Sequence, residues 1–228
     1  VTSTLCSCLA THAVLQFRYQ QKRRHLGFKR WGVYTHHVVD RTHPLVVDVN
    51  TRFDVPHSRF NDISYQQFEA AGLYVLVASK EAGVHLAVSE DLFRLVFFQG
   101  HPEYDIISLL KEYKREVCRF YRGERADYPP YPENYFTLRS QAILAEYREQ
   151  VLRARQRGLA MPDLPEGLIT AHLDNTWHDT AEAVINNWIG KVYQVTNADR
   201  RLPFMDSVDP NDPLAMKEYL IQTELELC

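Results

Sequence analysis

The chain has 228 residues, a net charge of −3, and hydrophobic residues make up 45% of it. This length and composition fit one globular domain or a domain with an appendage, and the lack of a basic excess argues against a nucleic-acid-binding protein. No apolar stretch approaches the roughly 20 residues that span a bilayer, and no secretory signal is visible, so we expect a cytoplasmic protein that does not enter the membrane.

The first half of the chain predicts alternating helices and strands. The opening residues read as the end of a strand that runs into a helix over 9–21, as if an N-terminal portion of the fold preceded them. A strand is predicted over 32–39, and prolines and aspartates then predict mostly loop over 40–63. A short helix over 64–71 is followed by strands over 73–78, 84–89 and 95–98, the last of which ends at Gln99-Gly100.

The second half is mainly helical. Residues 105–121 place their apolar side chains on one helical stripe, whereas the proline-rich run over 128–132 excludes regular structure. Further helices are predicted over 137–157, 179–195 and near 213–225. The order favours a layered α/β domain, with residues 1–123 forming the α/β portion and residues 124–228 a proline-rich loop and helices that pack on it.

Cys8 is the first candidate for chemistry because it falls at the predicted strand-to-helix junction. A helix N-terminus concentrates positive partial charge and free N–H groups, which favour a thiolate and can hold an oxyanion, the N–H of Leu9 first. The alternative is a small buried structural thiol. Cys6 is the rival nucleophile, but its place within the strand predicts a buried side chain. The spacing of the cysteines does not predict a metal site.

His101 and Glu103 are the second candidate, since they follow the strand over 95–98 and flank Pro102. Catalytic groups of open α/β sheets collect at the carboxyl ends of strands. An imidazole oriented by a nearby carboxylate suits a general base, so a Cys-His-Glu triad is plausible if the chain folds these ends together. The alternative is a capping turn with a surface ion pair.

These motifs resemble the homoserine O-succinyltransferases and the related homoserine O-acetyltransferases. The resemblance rests on VTSTLCSCLATHAVL, GVYTHHVVD, DVPHSRFNDI and GHPEYDIISLLKEYKREV, with PENYF and NNWIGKVYQVT nearer the end. It implies a flavodoxin-like, class I glutamine amidotransferase-like sheet that lacks its N-terminal strands here and gains C-terminal helices. Residues 137–176 read as an inserted helical segment.

The resemblance also implies roles for individual residues. Cys8 matches the nucleophile that is acylated, His101 the general base and Glu103 its partner. The positions that match or adjoin substrate-contacting residues are Lys29, Ser58, Arg115, Arg59 and Glu112. A guanidinium such as that of Arg115 can clasp an α-carboxylate in a forked geometry, and we expect Glu112 to hold Arg115 or the substrate amine.

The implied reaction transfers an acyl group from acyl-CoA to the hydroxyl of L-homoserine through a Cys8 thioester, in methionine biosynthesis. Succinyl-CoA is the expected donor, with acetyl-CoA as the alternative; we expect no bound cofactor and a homodimer. Three other readings stay open: a serine acceptor, a glutamine amidotransferase-type glutaminase with the same triad, and a non-catalytic interaction module. One methylene separates serine from homoserine, and such a difference is hard to read from sequence.

Overall fold

A six-stranded mixed sheet forms the centre of the computed structural model, which describes residues 1–217. The strand order is β1-β6-β5-β4-β2-β3. Strands β1 and β6 run parallel, whereas every other neighbouring pair is antiparallel. The strands are β1 (Thr4–Ser7), β2 (Arg24–Val38), β3 (Arg52–Asp62), β4 (Tyr74–Ser79), β5 (Gly83–Val88) and β6 (Leu95–Phe98). Since β1 and β6 are parallel neighbours, their carboxyl ends lie at the same edge.

Helices cover the sheet, and none of the described ones is long and apolar enough to cross a membrane. The short second helix begins where the sequence predicted, because Ser64 and Gln67 form a reciprocal capping box. The helices are α1 (Leu9–Tyr19), α2 (Tyr65–Ala70), α3 (Ser108–Tyr121), α4 (Leu138–Arg157), α5 (Glu166–Thr170) and α6 (His178–Val195), with a 3₁₀ turn at Pro44–Val46.

Successive side chains of a strand point to opposite faces of the sheet, so the apolar core is divided between the two faces. On β6, Phe97 packs with residues of α1 and α2, whereas Val96 and Phe98 belong to the cluster on the α6 side. A third cluster joins α3, α4 and α5 to Trp31 on β2. Phe97 is fully buried, so its replacement by alanine would cost about 3–5 kcal/mol.

The predicted α/β class and most predicted elements are confirmed, but the loop predicted over 40–63 is wrong. Residues 52–62 form β3, and β2 begins at Arg24 rather than near Gly32. Pro56 favours a loop in the sequence because proline has no backbone N–H to donate to a neighbouring strand. Strand β3 tolerates it since it is the last strand in the sheet order and pairs only with β2.

The segment after the proline-rich run is fastened to β2 by backbone hydrogen bonds. Glu133 donates to Trp31 O at 2.8 Å and accepts from Val33 N at 2.9 Å. A Cβ on Gly32 would lie 2.2 Å from Glu133 O, so only glycine permits this approach.

Helix α5 was not predicted from the sequence. The helix predicted near 213–225 extends beyond the described residues. The division of the chain at residue 123 stays a prediction.

Candidate active site

Cys8 occupies a sharp turn between β1 and α1. Its backbone has φ 47° and ψ −105°, a conformation that a non-glycine residue adopts only under local constraint. Its N–H donates to Phe98 O at 2.8 Å and its carbonyl accepts from His12 N at 3.2 Å, so the turn is anchored to β6 and to the helix. The side chain is half-buried, and the first helical N–H groups lie beside it without intrahelical acceptors.

Cys6 differs from Cys8 in the way the sequence predicted. It lies within β1 and is 5% exposed. Burial raises the pKa of its thiol, which disfavours a thiolate. Position and burial therefore leave Cys8 as the more accessible of the two sulfurs.

His101 lies three residues beyond the end of β6, at the sheet edge that also carries Cys8. Its backbone N–H donates to Pro56 O at 2.9 Å. Its ring is mostly buried and stacks on Tyr104 with 4.2 Å between ring centroids. The position of the imidazole is therefore restrained by the backbone hydrogen bond to Pro56 and by the Tyr104 ring stacked on one of its faces.

Glu103 orients the imidazole from the other side of Pro102. His101 Nδ1 donates to Glu103 Oε1 at 2.8 Å, which leaves Nε2 as the nitrogen available for chemistry. Ser7 Oγ, next to Cys8, lies 3.2 Å from both oxygens of the same carboxylate. The predicted His101–Glu103 pair is thus present, and Ser7 is an addition that sequence reasoning missed.

The His101 imidazole is biased towards its protonated form. Burial opposes protonation, but interactions with Cys8 and Glu103 outweigh it and raise the pKa of His101 to about 9. Within residues 1–217, Nε2 of His101 is nevertheless buried and has no hydrogen-bond partner. Cys8 and His101 are therefore neighbours whose side chains are not hydrogen-bonded, as is common for such pairs in the absence of substrate.

Glu112, on α3, is the centre of a second polar group next to the imidazole. Its Oε2 accepts from Lys29 Nζ at 2.7 Å and from Ser58 Oγ at 2.7 Å, and its Oε1 accepts from Tyr104 OH at 2.6 Å. Burial raises the pKa of Glu112, but these three donors lower it by a larger amount. The net pKa lies below the usual value for a glutamate, so the carboxylate is charged. Burial lowers the pKa of Lys29 in turn; we still assign an ion pair, because Lys29 Nζ remains 2.7 Å from a charged oxygen.

Tyr104 connects the two groups, since its ring stacks on His101 and its hydroxyl binds Glu112. Sequence reasoning named the GHPEYD motif but gave Tyr104 no role. Its place directly after the paired His-x-Glu was the available signal.

Neither arginine hydrogen-bonds to a side chain of this group. Arg115 is exposed on α3 and has no hydrogen bond or ion pair to a side chain within residues 1–217, so Glu112 does not hold it as expected. Arg59 is 4% exposed; its Nη2 donates to Asp62 Oδ1 at 2.8 Å and to Ala82 O at 2.6 Å. Arg59 therefore does not line the pocket formed by Lys29, Ser58 and Glu112, because successive residues of β3 point to opposite faces.

An open cleft of about 550 Å³ adjoins Glu103. It is lined by Leu5, Ser7, Pro102, Glu103, Tyr104, Asp105, His178, Ala181, Glu182 and Ile185. Across residues 1–217, no group of three or more His, Cys, Asp or Glu side chains is placed to hold a metal ion.

These features define an α/β protein with a cysteine on a strand-to-helix turn and a carboxylate-oriented histidine at the adjacent strand end. The family model described as "HTS: Homoserine O-succinyltransferase" matches residues 1–198. This chain belongs to the homoserine O-succinyltransferase family.

Curated relatives carry the same description. The homoserine O-succinyltransferase of Nitrosococcus oceani is 69% identical over 217 residues, which cover 95% of this chain and 61% of that protein. The one from Allochromatium vinosum is 69% identical over 216 residues, 95% of this chain and 60% of the relative. The chain thus spans about three-fifths of the length of these relatives.

The chain also resembles solved structures at low sequence identity. A glutamine amidotransferase from Thermotoga maritima aligns with a TM-score of 0.42 and 11% identity, covering 82% of this chain and 60% of that one. A likeness at this level adds nothing to the evidence for fold or function.

Proposed function

We propose that the protein containing this chain is a homoserine O-succinyltransferase that carries the succinyl group on Cys8. The observation that carries the proposal is the convergence of Cys8, His101 and Glu103 at one sheet edge, in a chain whose relatives bear that name. The family match supports the substrates, and the geometry supports the roles of the residues.

In the first half-reaction, the Cys8 thiolate attacks the thioester carbonyl of succinyl-CoA. The N–H groups at the start of α1, that of Leu9 first, stabilise the oxyanion. The bond to CoA sulfur breaks, and His101, protonated at rest because its pKa is about 9, gives its proton to that sulfur. Cys8 is left as a succinyl thioester beside a neutral imidazole.

Acylation also prepares the second half-reaction. The interaction with Cys8 that favours the imidazolium disappears when the sulfur is acylated, so the pKa of His101 falls and the neutral imidazole is available to accept a proton. Homoserine then enters, its hydroxyl gives a proton to His101, and its oxygen attacks the thioester carbonyl. O-succinylhomoserine leaves, and the Cys8 thiolate and the His101 imidazolium are restored.

The group around Glu112 is suited to an amino-acid acceptor. The Glu112 carboxylate can attract the α-ammonium, while Lys29 and the exposed guanidinium of Arg115 can receive the α-carboxylate. Arg115 lies near enough to Lys29 to disfavour its charge, so an incoming carboxylate would relieve repulsion between two cations. Ser58, within the same group, is placed to contact the acceptor.

Other parts of the proposal rest on the family alone. Succinyl-CoA is favoured over acetyl-CoA by the names of the relatives, and neither donor is a bound cofactor. Homoserine rather than serine, a homodimer and a cytoplasmic location stay predictions.

The direct test is acyl transfer by the full-length protein and by its Cys8→Ala variant. With succinyl-CoA and homoserine we expect release of free CoA together with O-succinylhomoserine, and no turnover above background from Cys8→Ala. Cys6→Ala is the matched control and should retain activity. Turnover by Cys8→Ala would refute the proposal, and glutamine hydrolysis without acyl transfer would favour the glutaminase.

A further inference from the structure

Three buried histidines form a cluster, and two of them, His57 and His85, lie against Gly100, the residue that precedes His101. His36, His57 and His85 come from β2, β3 and β5 and are at most 4% exposed. The rings of His36 and His57 stack with 5.0 Å between centroids, and His85 meets each of them edge-on. The reaction described above uses none of the three.

The hydrogen bonds fix the protons of two of these rings. His36 Nδ1 donates to Tyr34 O at 2.8 Å, which leaves its Nε2 as an acceptor. His57 Nε2, 3.2 Å away, must then be the donor to it. His57 Nδ1 is left as the acceptor for Nη1 of Arg59. Each imidazole is therefore neutral, since a second proton on His57 would face either the guanidinium or the His36 ring.

Arg59 is anchored independently of His57. Its Nη2 binds Asp62 and the carbonyl of Ala82. The order of donation runs from Arg59 to His57, from His57 to His36, and from His36 to the backbone. His57 is consequently fixed at both ring nitrogens.

The His57 ring packs against the backbone of Gly100, the residue that precedes His101. A Cβ added to Gly100 would lie 2.9 Å from His57 Cε1, 2.8 Å from His85 Nδ1 and 2.6 Å from Val55 Cγ1. The Gly100 backbone therefore rests against these side chains with no space between them. His101 N also donates to Pro56 O, the carbonyl immediately before His57. Strand β3 thus holds the His101 loop both by contact and by hydrogen bond.

We propose that His57 is a positioning residue for acyl transfer: held by Arg59 and His36, it fixes the Gly100–His101 backbone so that the His101 imidazole stays aligned with Cys8. The inference rests on the proposed function, because it assigns His57 to the reaction of Cys8 and His101. It also gives Arg59 a task other than contact with the substrate. Arg59 acts through His57 rather than on the substrate.

The test compares His57→Phe with its parent in the full-length protein. Phenylalanine keeps the ring but removes both hydrogen bonds, so the ring can shift and His101 with it. We expect kcat to fall about 10- to 100-fold, the usual effect of a misplacement near 1 Å, with KM for succinyl-CoA and for homoserine changed less than about threefold. His57→Gln, which retains a donor and an acceptor, should recover part of kcat.

Alkylation of Cys8 by iodoacetamide across a pH series gives a readout that acyl transfer does not affect. A displaced imidazolium supports the thiolate less, so the labelling rate of His57→Phe at neutral pH should fall at least about fivefold. Cys8→Ala defines background labelling. His43→Gln is the matched control, because His43 is also buried and hydrogen-bonded but packs against Leu92 and Leu45, away from Gly100.

The outcomes separate a positioning role from a structural one. If His57→Phe and His43→Gln both lose stability but share the parent's labelling profile, the proposal is overturned. If His57→Phe does not fold, His57→Asn decides in the same way, since its shorter side chain leaves Gly100 without the ring. Altered labelling in a protein whose Cys8→Ala variant still transfers acyl groups would show that His57 positions His101 beside Cys8, but it would refute the proposed function and with it the role of His57 in acyl transfer.

Discussion

The free energy of unfolding should fall steeply below neutral pH because two fully buried histidines are neutral. Burial lowers the pKa of His36 and of His43 to about 4, against 6.5 for an ordinary histidine. His43 shows the cause clearly, since Nε2 donates to Leu92 O at 3.0 Å and Nδ1 accepts from Leu45 N at 3.2 Å. A second proton on the His43 ring would sit on Nδ1 and point at the N–H of Leu45 in an apolar site.

The magnitude follows from the two pKa values. The unfolded chain binds protons on these residues below about pH 6.5, whereas the folded chain binds them only near pH 4, so stability is lost as the pH falls between those limits. From pH 7.5 to pH 5 the loss is about 2 kcal/mol for each residue, or about 4 kcal/mol together. For a chain of this size, these two residues alone correspond to a decrease in Tm of roughly 10 °C. The lowered pKa values of His57 and His85 add to the loss on acidification, whereas the raised pKa of His101 opposes it.

Urea unfolding followed by circular dichroism at several pH values measures this dependence. In His43→Asn the amide oxygen can still cap the 3₁₀ turn at Pro44–Val46. This variant should be less stable at neutral pH, yet lose about 2 kcal/mol less on acidification. Replacement of the exposed His37 by asparagine is the control. If His43→Asn shows the same pH slope as the parent, the reasoning about buried neutral histidines is wrong.

Three further predictions concern the site and its support. Glu103→Gln removes a negative partner, so the pKa of His101 should fall below about 9 in an NMR titration, and kcat should fall with it; an unchanged titration would contradict the assigned pair. Glu112→Gln should raise KM for homoserine about tenfold or more and leave KM for succinyl-CoA nearly unchanged, as steady-state kinetics would show. Gly32→Ala should lower the urea-derived stability by more than about 2 kcal/mol because Glu133 O blocks its Cβ; a smaller loss would show that the segment can move away.

Sequence reasoning succeeded where one local pattern determines the outcome. The Ser64 cap, the β6 boundaries and the buried stripe of α3 all follow from neighbouring residues. Likewise, the turn at Cys8 needs only a short strand that runs into a helix. The meeting of Cys8 with His101 was inferable from the rule that strand ends collect, but it required β1 and β6 to be parallel neighbours.

The failures arose where tertiary pairing overrides local signals. Pro56 marks a loop in the sequence, yet it is accommodated in β3 at the end of the sheet order. Placing β3 beside β2 decides which side chains share a pocket: Ser58 reaches Glu112, while Arg59 turns to the opposite face. The link that Tyr104 makes between His101 and Glu112 likewise depends on a stacking contact that no sequence periodicity encodes.

The central claim is that Cys8 carries the acyl group between donor and acceptor. Intact-mass and peptide mass spectrometry of the full-length protein, mixed with succinyl-CoA in the absence of homoserine, tests it most directly. The account predicts a mass increase of one succinyl group on the peptide containing Cys8, absent in Cys8→Ala and discharged when homoserine is added. A succinyl group on another residue, or CoA release from the parent protein without any covalent adduct under rapid quench, would contradict it.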